Sequence, residues 1–265
     1  MDELSAFKDA PRQLRQRESA LLRLAGAVFT GGPSLYESKR TLHPNVYCLP
    51  SAVDAAHYSP ANLDPQSADA LAAEELHAGI AHPRLGFFGV SDERLDLQLL
   101  AAVADAQPDW QLVMVGPVVK IDPANLPQRA NIHWLGMQSY QRLPHLIAEW
   151  DVCLMPFAMN EATRFISPTK TLEYMAAEKP VVSTPVPDVV GLYGDVVSIA
   201  RTPDEFVAAC AELLAQSEQK RRQHIVGMLN KVWQVSWDRS AEKVFDVLAE
   251  ELKKPPTSMA ALRDR

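Results

Sequence analysis

Asp151-Val152-Cys153-Leu154-Met155-Pro156-Phe157, a polar loop, the segment Pro168 to Glu178 and then Pro180-Val181-Val182-Ser183-Thr184 form the stretch that decides the fold. Two short apolar runs of strand length flank a segment of helix length. Parallel strands buried on both faces read as unbroken apolar runs, and they need a helical crossover between them. Working outward, the alternation recurs. Upstream, Leu85-Gly86-Phe87-Phe88-Gly89 predicts a strand, and Leu95 to Ala106 a helix with Leu95, Leu99 and Val103 along one face. Trp110 to Gly116 and Asn131 to Gly136 follow as strands, and Tyr140 to Trp150 as a helix. Downstream come a last short strand, Val196 to Ala200, and the helix Pro203 to Ala215. From Pro83 onward the chain predicts βαβ units: an α/β fold whose parallel sheet carries helices on both faces.

The first 80 residues follow another pattern. Leu14 to Leu24 predicts a helix, Ala27-Val28-Phe29-Thr30-Gly31-Gly32 a strand ending in a glycine turn, Pro33 to Lys39 a short helix and Asn45 to Leu49 a strand. That single β-α-β stretch is too little to close a second domain. Pro50 to His82, rich in Ala, Pro, Asp and Ser, has no period and reads as a linker. Ser236 to Leu252 predicts an amphipathic helix with Val244, Val247, Leu248 and Leu252 on its apolar side, and Lys253 to Arg265 a frayed end.

Composition excludes several classes. The 265 residues are 47% apolar and 22% charged, as in a globular protein with a sizeable core. Acidic residues outnumber basic ones by 33 to 26, and the net charge of −7 disfavours a dedicated nucleic-acid binder. No apolar run reaches the roughly 18 residues of a membrane span, and Met1-Asp2-Glu3-Leu4-Ser5 opens acidic, unlike a signal peptide. Cys48, Cys153 and Cys210 lie far apart, with no zinc or disulfide spacing. Cys48 and Cys153, in apolar strand-like runs, read as small core residues, and a reducing, cytoplasmic setting is the simplest expectation. The seven histidines show no i, i+4 pair, so no metal site is expected, and no Gly-x-Ser-x-Gly elbow is present.

The chemistry concentrates between Asn160 and Ala177. Ser167 suits an N-cap and Pro168 the first helical position, which places a helix start at the carboxyl edge of the sheet. Such a start attracts anions through its N–H groups and dipole. Lys170 stands in the first turn, where a cation is unfavourable to the helix itself but useful if an anion sits before it. Glu173, three residues on, shares nearly the same face, while Leu172, Met175 and Ala176 point to the core. The set suits a nucleoside diphosphate, with amides and Lys170 on phosphate oxygens and Glu173 accepting from ribose hydroxyls. A capped helix with a Lys170–Glu173 surface pair accounts for it equally well. Gly86 and Gly89 bracket the turn after their strand, without completing a dinucleotide or Walker pattern. Arg94 beyond that turn is either a second phosphate cation or a solvated side chain.

Gly86-Phe87-Phe88-Gly89, Val115-Gly116-Pro117, Ile132-His133-Trp134-Leu135-Gly136, Asp151 to Phe157 and Ser167 to Ala177 can now be taken together. In order and spacing they resemble the C-terminal domain of GT-B glycosyltransferases of family 4, retaining enzymes also labelled glycosyltransferase family 1 proteins. The resemblance implies a Rossmann-like sheet as the C-terminal half of a GT-B fold, with a partial N-terminal β-α-β remnant. Residues 1–52 would be that acceptor-side remnant, 53–82 a linker, 83–235 the donor-binding domain, 236–252 a crossover helix and 253–265 a flexible tail. The implied activity is transfer of a sugar from a UDP- or GDP-sugar to a saccharide or lipid acceptor, in polysaccharide biosynthesis, with neither metal nor cofactor. The implied place is the cytoplasm or the cytoplasmic face of the inner membrane.

By the same resemblance, Gly89, Arg94, Arg164, Ser167, Pro168, Thr169, Lys170, Thr171 and Glu173 would bind the donor, and Lys170 and Glu161 would be catalytic. The family usually carries two glutamates eight positions apart, but the position eight before Glu173 is Phe165; Glu161, twelve upstream, requires a four-residue insertion. Most of an acceptor domain is absent, which implies a fragment, a mis-started reading frame or one half of a split enzyme that binds donor and transfers poorly alone. Two other classes stay open. One is a non-catalytic nucleotide-binding module. The other, a dinucleotide-dependent oxidoreductase, is disfavoured by the missing glycine fingerprint.

Overall fold

The computed structural model describes residues 3–253. The N-terminal part holds α1 (Gln13–Leu24), β1 (Val28–Thr30), α2 (Pro33–Lys39) and β2 (Val46–Cys48), followed by α3 (Ala55–Tyr58) and α4 (Ala68–His77). The main sheet and its crossovers follow as β3 (Arg84–Phe88), α5 (Leu97–Ala106), β4 (Gln111–Val115), β5 (Ile132–Trp134), α6 (Leu143–Ala148) and β6 (Val152–Met155). Then come α7 (Lys170–Ala176), β7 (Val181–Ser183), α8 (Pro187–Tyr193), β8 (Ser198–Ile199), α9 (Pro203–Leu214), α10 (Glu218–Trp233) and α11 (Trp237–Lys253).

Six strands form one parallel sheet in the order β5-β4-β3-β6-β7-β8. Leu85 of β3 pairs with Leu112 of β4 on one side and Val152 of β6 on the other. Because side chains alternate across a strand, the sheet builds two cores. Leu112 and Met114 pack with Leu100, Val103, Phe206 and Cys210 from α5 and α9. Val113 and Val115 belong to the opposite cluster, with Ile147, Leu172, Val189 and Met228 from α6, α7, α8 and α10. Helices thus cover both faces, as the alternation of runs predicts. Caps fix several starts: Asp96 accepts from the Leu99 N–H at 2.9 Å, Thr202 from Glu205 and Ser217 from Lys220.

Three expectations are corrected. The stretch 53–82 folds onto the main domain instead of linking, since Tyr58, Ala73 and Ile80 are buried in its core. Its helices escape a search for large apolar residues because alanine, a strong helix former, lines much of the buried side. Asp54 and Ser67 cap them, accepting from His57 and Ala70. Second, α7 begins at Lys170, not Pro168, and Ser167 does not cap it. The Ser167 carbonyl instead accepts from Ser51 Oγ at 3.0 Å, and the entry is tightened by i→i+3 bonds from Thr171 to Pro168 and Leu172 to Thr169. Third, only Val247 of α11 is buried, although the whole apolar stripe suits packing. The tail beyond residue 253 lies outside the described residues.

The N-terminal part is a two-stranded parallel sheet, β1 with β2. Lys39, itself buried, ties its helices together by lying 2.6 Å from Glu3 and 2.8 Å from Glu18. Polar contacts join it to the rest. Asp188 of α8 accepts from the Ser34 N–H at the start of α2, at 2.8 Å. From α11, Lys243 donates to the Cys48 carbonyl and Glu251 accepts from Asn45.

Gly86 sits mid-strand because the Trp150 ring occupies the space of a Cβ, which would fall 1.8 Å from Trp150 Cδ2. Trp150 Nε1 donates to His77 Nε2 at 3.0 Å, so His77 is neutral and its Nδ1 donates to the Ala73 carbonyl at 2.7 Å. Burial lowers the His77 pKa, and burial lowers that of His133 too. The unfolded chain therefore takes up protons in the ordinary imidazole range while the folded chain does not, and stability falls as pH drops through that range. The melting temperature should fall between about pH 7.5 and pH 5 and fall less in His77→Gln, the remainder coming from His133. Equal falls in both proteins would remove His77 from this account.

Candidate functional site at the switch point of the sheet

The strand order reverses at β3, whose neighbours β4 and β6 lead away in opposite directions. Open α/β sheets place their ligand crevice at such a reversal, outside the carboxyl ends of the strands. Three segments converge there: the turn after β3, the chain after β6, and the start of α7. They enclose a cleft of about 190 Å³ whose lining includes Phe87, Arg94, Phe157, Thr169 and Lys170. A pocket for a whole drug-sized ligand holds roughly 300–1,000 Å³. This one has the size of a fragment, such as a phosphate group. A larger groove of about 420 Å³ between α1 and β1 is apolar, lined by Leu14, Leu21, Val28 and Phe29, and lies away from these residues.

Lys170 Nζ lies over two aromatic faces, 5.6 Å from the centroid of Phe87 and 5.4 Å from that of Phe157. Cation–π attraction and the apolar floor hold the ammonium at the cleft. Gly89 makes room for it. A Cβ on Gly89 would stand 3.1 Å from Lys170 Cε, and the residue has φ +143°, a region nearly closed to side chains. Gly116, with φ +134°, backs onto Gly89 so closely that a Cβ would meet its carbonyl oxygen at 1.9 Å. Gly86, by contrast, serves Trp150 and not the cleft.

Arg94 is neither solvated nor aimed only at the cleft. Asp92, buried beside it, grips the guanidinium through contacts of 3.0, 3.1 and 2.7 Å. The Phe7 ring lies beneath Arg94 at 5.2 Å and beneath Lys120 at 5.3 Å. The fork fixes the Arg94 planar group at the cleft wall while offsetting part of its charge.

Glu173 follows Lys170 on α7 and is half-buried. Burial pushes its pKa up, while Lys170 and the Tyr58 hydroxyl pull it back down. Tyr58, at the end of α3, and Tyr140, before α6, stand beside it. Neither they nor His57, stacked on Tyr140 with centroids 4.0 Å apart, was singled out from the sequence. A lone Tyr in an alanine-rich stretch gives no local signal, because its partners are distant in the chain.

The remaining sequence-predicted residues divide. Ser167 and Thr169 line the cleft with Pro168 between them. Thr171 does not: it is buried, with its hydroxyl on the Met155 sulfur at 3.3 Å. One residue past Lys170 on a helix means a turn of about 100°, which points Thr171 at the sheet. Glu161 and Arg164 are exposed, 3.8 Å apart, and do not line the cleft. Their loop is pinned elsewhere, since Asn160 caps Ala162 and Thr163 and donates to the Glu93 carbonyl. Among the described residues, no group of His, Cys, Asp and Glu could hold a metal ion, and no helix is long and apolar enough to cross a membrane.

Residues 82–216 match the sequence profile of a family described as glycosyl transferases group 1. TuaH of Bacillus subtilis (strain 168), named as a teichuronic acid biosynthesis glycosyltransferase, is 30% identical over 139 residues, 50% of this chain and 35% of that protein. The fold is similar to sucrose-phosphate synthase from Thermosynechococcus elongatus, with a TM-score of 0.66 at 18% identity over 91% of this chain and 63% of that one. It is similar also to Anabaena HepE in complex with UDP and glucose, with a TM-score of 0.66 at 15% identity over 89% of this chain and 66% of that one. These neighbours are GT-B glycosyltransferase folds. The chain spans about a third of TuaH and just under two thirds of these two solved chains.

The two glycines under Lys170 differ in what an added methyl would meet. Gly116→Ala drives a Cβ into backbone and Gly89→Ala into the flexible end of Lys170, though both carry the strain of a left-handed φ, about 1–3 kcal/mol. Thermal unfolding should show the larger loss in Gly116→Ala. A Gly116→Ala protein as stable as wild type would contradict the close backbone stacking.

Proposed function

The chain belongs to the glycosyl transferases group 1 family through residues 82–216, and from that premise we propose that its switch-point cleft binds the diphosphate of a nucleoside diphosphate-sugar. The reaction is transfer of the sugar, with retention, to a saccharide or lipid acceptor. One observation carries the reading: Lys170 opens α7 at the reversal of the sheet, over a floor cleared by Gly89, with Glu173 on the next turn. Lys170 and the helix start face the phosphates, and Glu173 accepts from ribose hydroxyls. HepE is solved with UDP and glucose, which supports a uridine donor here.

Cleavage at the anomeric carbon leaves charge on the departing diphosphate. A fixed ammonium and a helix N-terminus favour that charge more as it develops than in the intact donor, and the difference lowers the barrier. In this reading Lys170 and the helix start supply the counter-charge to the departing diphosphate. Binding without transfer is the second reading, favoured by Glu161 standing outside the cleft.

Thermal shift and titration with UDP, GDP, ADP, their sugars and NAD test the proposal. One nucleoside diphosphate should bind and NAD should not. Lys170→Ala should weaken that binding roughly tenfold or more, the scale of a charge-assisted hydrogen bond. Unchanged affinity in the variant would overturn the assignment of Lys170. Sugar transfer assayed with the same donor separates catalysis from binding alone.

A further inference from the structure

Tyr58 is 1% exposed, and its hydroxyl is buried with no hydrogen-bond partner. A buried hydroxyl left in that state costs stability, so its persistence in a well-packed core calls for a cause. Two groups are close enough to act on it electrostatically: the Glu173 carboxylate on α7 and the Tyr140 hydroxyl. The ring cannot easily turn away from them. His57 meets it edge-on at 4.9 Å and stacks flat on Tyr140 at 4.0 Å, and Tyr140 meets Tyr58 edge-on at 6.1 Å. This aromatic trio runs from the core to the surface, where Tyr140 is 48% exposed.

An ionised carboxylate has about four acceptor positions and no donor. Glu173 is half-buried, so solvent reaches one side of it while Tyr58 belongs to the core. We propose that Tyr58 is a positioning residue for Glu173, its hydroxyl donating to the buried side of the carboxylate when ribose hydroxyls donate to the open side. The inference rests on the nucleotide reading of the site and adds a determinant of sugar recognition to it. With a second anchor the carboxylate holds one orientation. Without it, the carboxylate rotates and the contact to the ribose 2′-hydroxyl loses its geometry.

The charge balance leads the same way. The groups that interact with Glu173 are Lys170 and Tyr174 on its own helix, Tyr58 from α3 and Tyr140 from the turn before α6. Burial raises the Glu173 pKa, and Lys170 and Tyr58 oppose the rise. Removing the Tyr58 hydroxyl leaves Glu173 easier to protonate, and a protonated carboxyl is a poorer acceptor. Ribose-dependent binding should then fail at a higher pH than in the wild type.

The test uses the full chain, with whichever of UDP, GDP and ADP binds most tightly and its 2′-deoxy counterpart. Tyr58→Phe keeps the ring and removes only the hydroxyl, and a thermal melt of the free variant checks that the fold is kept. Wild type should prefer the ribonucleotide. Tyr58→Phe should lose roughly tenfold of that preference, the scale of a hydrogen bond to a charged group, with 2′-deoxynucleotide affinity little changed. The acidic limb of ribonucleotide binding should move to higher pH. An unaltered preference and an unaltered pH limb in Tyr58→Phe would overturn the role of Tyr58 alone, as would a wild type that binds without preference. A wild type that binds none of the three diphosphates overturns the nucleotide reading, and this inference with it.

Discussion

A cation in the first turn of a helix works against the dipole, by about 0.3–1 kcal/mol at an exposed site. Lys170 occupies that position, and much of the surrounding structure follows from keeping it there. Phe87 and Phe157, at the carboxyl ends of two adjoining strands, present their faces to its ammonium. Gly89 gives up its side chain so that the Lys170 stem can pass. Gly116 gives up its own so that the turn holding Gly89 can sit on the next strand end. The glycines are therefore a consequence of placing one positive charge at the reversal of a parallel sheet.

The same place is also the seam between the two parts of the described chain. Ser51 donates to the Ser167 carbonyl three residues before α7 begins, and Asp188 accepts from the start of α2. Gly32 allows this approach: a Cβ there would collide with the Asp188 carboxylate and the Ser167 side chain. The entry to α7 is thus shaped from the N-terminal side as well as from the sheet. That explains why Ser167 is diverted from capping and why the helix starts two residues later than its composition predicts.

The alternation of buried strands and crossover helices was legible because a parallel strand covered on both faces must be an unbroken apolar run. Lys170 and Glu173 were legible as a pair because three residues on a helix bring two side chains to one face. Thr171 was grouped with them by adjacency in the chain, and adjacency misleads where the helix turns by about 100° per residue. The helices α3 and α4 were illegible because alanine makes a buried face without an apolar stripe of large residues. Tyr58, His57 and Tyr140 could not be assembled at all, since the three meet only when a segment read as a linker packs against α7. Glu161 and Arg164 sit on a loop whose course is set by Asn160 and Thr163, and nothing in their own identity fixes which way it points.

Spacing on α7 explains why one short helix can address two chemical groups. Three residues rise about 4.5 Å along the axis and return to nearly the same face. In the proposed site a cation for phosphate and a carboxylate for hydroxyls then lie one turn apart, with the ammonium at the open end and the carboxylate deeper. Depth makes the carboxylate the weaker member, because burial opposes its charge. Lys170 and the Tyr58 hydroxyl oppose the resulting rise in its pKa. In the proposed site the cation would serve both groups at once, as counter-charge to the incoming phosphates and to the neighbouring carboxylate. Phosphate at Lys170 would there draw on the same positive charge that opposes the rise in the Glu173 pKa, and a second, uncharged donor on the core side would let the two sites be filled together.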